Sequence, residues 1–323
     1  MYWLCPLDNR NGVKSMATES TENIRLEIVE NVKRIASNHR ATTADLFDLD
    51  GTVIDGNLLA ETVFNYVLHR MPKGSAVRAR VDLALSASSK EVDGRASIYD
   101  PAFKGLAIRL VEIGLFLGLN AEALRELQTL YLENVAASCF SWPRALALAL
   151  RLRQPRGLVL CVTGTPQAIA DLLCPILGFD AAIGCEYAKE GDVFVDGESD
   201  LNPGLHKDRI VLGLEKECGL VFDQAIAVGD SKFDLDMLGR VAYPVAMNPK
   251  PDMFEAIRES GRIGKPIAWV DQTIGERVED ARCWLPCKDG RLRFAQPKDF
   301  LPTDVCGLMA AAAEEMRRSW RYR

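Results

Sequence analysis

Two carboxylates, Asp48 and Asp50, stand two residues apart in the stretch Leu46-Phe47-Asp48-Leu49-Asp50-Gly51-Thr52-Val53. The run Ala44-Asp45-Leu46-Phe47 precedes them and reads as a short buried strand. That sets both acids at the strand's carboxyl end, the edge where open α/β sheets bind ligands. Two acids so close cost folding stability unless a cation or a partner offsets their charge. The residue types and their spacing suggest a metal-assisted site in which one acid attacks and the other moves a proton.

Polar residues of the kind such a site needs end further strands. The apolar run at 158–162 stops at Thr163-Gly164-Thr165-Pro166, where a hydroxyl followed by a glycine amide at a helix N-terminus would cradle a phosphate. The run at 224–228 stops at Gly229-Asp230, with Asp234 four residues on; a carboxylate there would complete an oxygen shell for Mg²⁺. Lys207 opens the helix before that strand and would act as a point charge toward phosphate. Taken singly, each has an ordinary explanation: a capped turn, a Gly-Asp turn, a solvated lysine. Asp-x-Asp-Gly also opens a Ca²⁺ loop, but the remaining acids and the closing glutamate of that loop are missing. Their order decides, because all four fall at successive strand-to-helix junctions and so converge on one sheet edge.

The elements that must position them follow from periodicity. Residues 21–37 carry an apolar stripe at helical spacing, preceded by a polar arm. From Gly56 to about Ser141 the pattern is helical throughout, with breaks at 71–74, 93–94 and 119–120. From about Trp142 helices alternate with strands: helix 143–153, strand 157–162, helix 165–177, a pair of short strands in 181–194, helix 204–218, strand 224–228, helix 234–238, strand 241–246, helix 251–259 and strand 266–270. That alternation predicts an α/β fold, a doubly wound, mainly parallel Rossmann-like sheet with an inserted all-helical cap domain. The expected division is an N-terminal arm and helix over 1–40, a core of 41–56 plus 142–272, a cap over 57–141, and a C-terminal extension over 273–323 with one helix at 303–319. The cap would act as a lid.

The bulk numbers narrow the class. The 323 residues carry a net charge of −6, which argues against nucleic acid as the main partner. Nine cysteines at scattered spacings read as reduced thiols, consistent with a cytoplasmic location. Cys283 and Cys287 are a weak metal half-site, with no second pair nearby. No stretch reaches the length of a membrane span, and the N-terminus has no basic region ahead of an apolar core. Met16 is a second candidate start besides Met1, and a homodimer is compatible with these readings.

Asp48-Leu49-Asp50-Gly51-Thr52, Thr163, Lys207 and Gly229-Asp230 with Asp234 resemble the four motifs of the haloacid-dehalogenase-like phosphohydrolase superfamily. The resemblance spans about residues 43–272. The insert after the first motif, and the Ala-Met-Asn-Pro segment before Pro251, are similar to the phosphoserine-phosphatase-like branch with its helical type-one cap. The resemblance implies that Asp48 attacks phosphorus and becomes an aspartyl-phosphate, while Asp50 protonates the leaving oxygen and then activates water. It implies that Gly51, Thr163, Gly164 and Lys207 bind the phosphoryl group. Mg²⁺ would be held by the Asp48 carboxylate, the Asp50 carbonyl and Asp230, with Asp234 behind them. Members of that branch usually have serine at the place of Gly51 and a substrate-binding glutamate near Asn57, so phosphoserine is disfavoured. Phe233 stands where a small or polar residue is usual.

The expected activity is Mg²⁺-dependent hydrolysis of a small phosphate monoester. The alternatives are a phosphotransferase using the same intermediate, an enzyme of lipid or isoprenoid phosphates or diphosphates, and, last, a binding protein without turnover. In the cap, His69, Arg70, Lys73, Arg78 and Arg80 form a basic stretch that would suit a second anionic group, and Leu110, Val111, Ile113, Leu115, Phe116 and Leu117 an apolar set that would line a pocket. Both read first as an ordinary solvated face and an ordinary core. The basic, aromatic tail 316–323 suits a helix C-terminus. His39 and His206 are read as solvent-facing.

Overall fold

The structure is a computed structural model. It describes residues 30–56, 121–135, 137–153, 157–185, 189–190, 193–194, 204 and 206–320, the pairs 91–92 and 95–96, and single positions between 58 and 79.

Alternation along the strands builds the core. In β1 (Thr43–Phe47) and β4 (Gly157–Pro166), Leu46, Leu158, Leu160 and Val162 face one layer, while Phe47, Val159 and Cys161 face the other. A strand apolar on both sides must be covered on both sides, which a parallel sheet between helices achieves. One layer is covered by α3 (Ser141–Arg153), α4 (Gln167–Leu177) and α8 (Thr303–Trp320). The other is covered by α1 (residues 30–39), α5 (Lys207–Cys218), α6 (Leu235–Arg240) and α7 (Phe254–Ser260). The remaining strands are β5 (Ala181–Cys185), β8 (Ile226–Gly229), β9 (Tyr243–Met247), β10 (Ala268–Asp271), β11 (Arg282–Pro286) and β12 (Leu292–Ala295).

The main sheet runs β12-β11-β10-β9-β8-β1-β4-β5. From β10 to β5 every pairing is parallel, whereas β11 and β12 pair antiparallel. Strand order reverses about β1, so the carboxyl ends of β1, β4 and β8 lie side by side at a switch point.

Three expectations need correction. The insert is not helical throughout: β2 (Glu91–Val92) and β3 (Arg95–Ala96) pair antiparallel. Asp93-Gly94, read as a helix break, is also a strong hairpin signal. Residues after 272 add β11 and β12 to the sheet besides the helix, because short strands of uneven apolarity give little period-two signal. Finally, β4 continues to Pro166, where Pro166 pairs with Cys185 after an irregularity beyond Val162, and α4 starts at Gln167. The residue before a proline is pushed toward extended backbone, which disfavours a helix beginning at Thr165. The Gln167 side chain then bonds β5, accepting from Gly184 N (2.6 Å) and donating to Ala182 O (3.1 Å).

A second two-stranded ribbon, β6 (Lys189–Glu190) with β7 (Val193–Phe194), matches the short strands read around Gly191. In the insert, α2 (Ala121–Val135) is described together with helical positions at Leu58, Thr62 and Tyr66, all three buried at helical spacing. The insert leaves and returns at one place: Asp55 N donates to Ser138 O and Phe140 N to Val53 O, both at 2.9 Å. Residues 1–29, the expected helix at 101–119, and most of that at 76–86 lie outside the described residues.

Candidate active site

The loop after β1 is wound tightly. Leu49 O accepts from Thr52, Val53 and Ile54 N, and Gly51 N donates to Ile54 O at 2.8 Å. Gly51 has φ +89°, and a Cβ there would collide with Asp230 Oδ2. Only glycine meets both demands. Gly229 is constrained by space alone, since a Cβ would overlap the Asp234 side chain.

These turns bring the acids together. One carboxylate oxygen from each of Asp48, Asp230 and Asp234 lies within 4.8 Å of the others, and all three residues are buried. Lys207, at the first turn of α5 and 2% exposed, donates to Asp48 Oδ1 at 2.6 Å and to Asp234 Oδ1. The second Asp48 oxygen accepts from Thr52 Oγ1 at 3.0 Å. Asp234 Oδ2 accepts from Asp230 N (3.0 Å), Ser231 N (2.9 Å) and Ser231 Oγ (3.0 Å), so its oxygens are already engaged by the protein. Asp50 turns instead to β4, where it accepts from Thr165 Oγ1 and from Thr163 Oγ1 at 3.4 Å. Thr163 Oγ1 accepts in turn from Thr165 N at 3.1 Å. Gly164 is exposed between these two buried threonines.

The electrostatics follow from burial. Loss of water pushes the Asp48 carboxyl up to about 7, against the pull of Lys207 and helped by Asp234 and Asp230. Burial likewise takes Asp230 up to about 6, against Lys250. For Lys207 burial works against the ammonium, but Asp48 and Asp234 outweigh it and hold the pKa above its ordinary value. One buried lysine among three buried carboxylates leaves the cluster short of positive charge. Oxygen donors only, with negative charge in excess, fit a hard divalent cation.

Every residue picked from the motifs lies at this edge, although Gly164 falls in extended β4 and not at a helix N-terminus. Thr52, Thr165, Ser231 and Lys250 were missed. Thr165 was detectable from its place before Pro166; nothing in the sequence marks Lys250, whose Nζ lies 2.7 Å from Asp230 Oδ2. The Tyr131 hydroxyl, on α2, is buried, has no hydrogen-bond partner among the described residues, and lies within electrostatic reach of Asp50.

The family model described as haloacid dehalogenase-like hydrolase matches residues 46–239, more than half of the chain. The chain belongs to the haloacid dehalogenase-like hydrolases. Among solved structures, a phospho-aspartyl intermediate analogue of phosphoserine phosphatase is 17% identical, with 67% of this chain and 90% of that chain covered and a TM-score of 0.43. A protein of unknown function from Bordetella pertussis Tohama I is 17% identical over 70% of this chain and 98% of its own, with a TM-score of 0.49. A probable phosphoserine phosphatase from Vibrio cholerae is 16% identical over 86% of this chain and 67% of its own, at 0.42. A search of curated proteins finds no match.

Outside the cluster, this hydrolase offers less. Among the described residues, Asp48, Asp230 and Asp234 are the one group of three or more side chains that could hold a metal. Cys283 is buried in the core and Cys287 lies past the end of β11. His39 is exposed; His206 is half-buried, and its carbonyl accepts from Arg209 and Ile210 N. His69 and Lys73 are exposed, and Arg70 faces Glu126 at 3.5 Å. Arg80 and residues 110–117 lie outside the described residues. Arg317 and Arg318 pair with Glu314, and Arg317 also with Glu279. No helix among the described residues is long and apolar enough to cross a membrane.

Proposed function

We propose that this chain is a Mg²⁺-dependent phosphomonoesterase that carries the phosphoryl group on Asp48 during turnover. The observation that carries the reading is the meeting of three buried carboxylates around Lys207, with Asp50 held apart on the hydroxyls of Thr163 and Thr165. The separation gives the two acids of the first loop different work.

Asp48, at the tip of β1, attacks phosphorus in line, and the ester oxygen departs. Lys207 fixes one Asp48 oxygen and leaves the carboxylate pointed for attack. Asp50 gives its proton to the departing oxygen, so an alcohol leaves and not an alkoxide. A water then attacks the phosphorus of the Asp48 acyl phosphate, Asp50 takes the water's proton, and inorganic phosphate is released with Asp48 restored. The Gly164 amide and the Thr163 hydroxyl, which turns its one hydrogen from Asp50 to the substrate and leaves Asp50 on Thr165, hold the phosphoryl oxygens, and Gly51 lets the loop come close. Asp48 and Asp230 would hold the cation by their carboxylates and Asp50 by its carbonyl, with Asp234 orienting the main chain around Asp230. Bound there, Mg²⁺ supplies the positive charge that lets an anionic carboxylate approach an anionic phosphate.

The insert over 57–141 closes over the leaving group and excludes water. The substrate is a small phosphate ester other than phosphoserine, and the setting cytoplasmic. Phosphate release from a panel of phosphorylated metabolites, including lipid and isoprenoid phosphates, tests this. The expected result is turnover of one substrate class with Mg²⁺ and silence in excess chelator. Full activity with chelator present would contradict the metal's role.

A further inference from the structure

Two lysines reach the acidic cluster, and they are held differently. Lys207 is enclosed, with 2% of its side chain exposed and two carboxylates on its ammonium. Lys250, in the turn after β9, has 48% of its side chain exposed and, among the described residues, pairs with Asp230 alone, at 2.7 Å. Its main chain is anchored separately, through Lys250 N to Asp230 O at 2.8 Å. The ammonium can therefore leave while the backbone stays.

The oxygen it holds is the critical one. Asp230 Oδ2 is the atom that a Cβ on Gly51 would strike, so it faces the loop carrying Asp48 and Asp50. A cation shared between Asp230 and that loop would use the same oxygen. Mg²⁺ binds carboxylate oxygen at about 2.0–2.1 Å. An ammonium left in place would then lie within a few ångströms of a divalent charge and repel it.

We propose that Lys250 is the resident counter-cation of the metal-free site, and that a divalent cation binds by displacing its ammonium from Asp230 Oδ2. The inference rests on the reading above that Asp48 and Asp230 hold the metal. Lys250 neutralises Asp230 while the protein waits for metal, and the same contact lowers the affinity with which metal enters.

The test is titration calorimetry of chelator-stripped protein with Mn²⁺, on the wild type, Lys250→Met and Lys250→Gln. Lys250→Gln keeps a hydrogen-bonding group at Asp230 and serves if Lys250→Met does not fold. Both variants should bind Mn²⁺ about tenfold more tightly, equivalent to about 1.4 kcal/mol. Without metal they should melt at a lower temperature than the wild type, and metal should raise their melting temperature by more. Unchanged or weaker Mn²⁺ affinity in the variants would overturn the displacement, leaving Lys250 as a support for Asp230. No Mn²⁺ binding by any of the three proteins would remove the metal reading itself, and the displacement with it.

Discussion

At the scale of single residues, the site is governed by how closely charged groups are packed and how little they can shift. Gly51 shows this best. Its backbone is left-handed, and the space where its Cβ would stand is filled by Asp230 Oδ2. Gly51→Ala should cost more than about 1 kcal/mol of stability from the backbone alone. It should also weaken divalent-cation binding by displacing Asp230. Thermal melts and metal titrations on the variant check this, and a variant with wild-type affinity would show that the loop has room to spare. Asp48, Asp50, Lys207, Asp230 and Asp234 were legible in the sequence because chemistry restricts their types and fold topology restricts their order. Lys250 was not legible, because a lysine after Asn-Pro looks like any solvated turn residue until its ammonium is seen on Asp230.

At the scale of elements, β4 is where pattern and structure part. The apolar run ends at Val162, but the strand continues to Pro166 because its partner β5 and the Gln167 side chain hold the extended backbone in place. Thr163 and Thr165 are thereby both buried and both directed to Asp50. The short elements at the sheet's edge were missed for a different reason. β11 and β12 are a local hairpin, but strands of five and four residues with uneven burial carry little period-two signal, whereas the helices α3, α5 and α8 carry a full apolar stripe. Thr165→Val keeps the shape of β4 and removes a donor from Asp50. Its kcat should fall about tenfold, the rate equivalent of a charge-assisted hydrogen bond of about 1.5 kcal/mol, with circular dichroism unchanged. An unaltered kcat would mean that the Thr165 hydroxyl is not needed to hold Asp50.

At the scale of the whole molecule, the helical layers on both faces of the sheet force the carboxyl ends of β1, β4 and β8 to one edge, and the desolvation they impose sets the response to pH. The Asp48 carboxyl rises from 3.8 to about 7 and Asp230 from 3.8 to about 6. The folded protein thus binds more protons than the unfolded chain between about pH 4 and pH 7. Stability of the metal-free protein should fall as pH climbs through that window, and Mg²⁺ should reverse the loss above pH 7. Melting temperatures across pH, with chelator and with Mg²⁺, check the sign; a metal-free protein that gains stability over the window would contradict it. The alternation of helices and strands made the parallel part of this architecture legible, while the antiparallel strands that complete the sheet were not, although the Asp289-Gly290 turn between β11 and β12, with Gly290 at φ +81°, is a local hairpin signal. The central claim is that Asp48 carries the phosphoryl group, and acid-quenched turnover with Mg²⁺, followed by peptide mass mapping, tests it most directly. The account predicts one added phosphoryl group on the peptide containing Asp48, lost together with turnover in Asp48→Asn; a phosphoryl group on another residue, or wild-type turnover in Asp48→Asn, would contradict it.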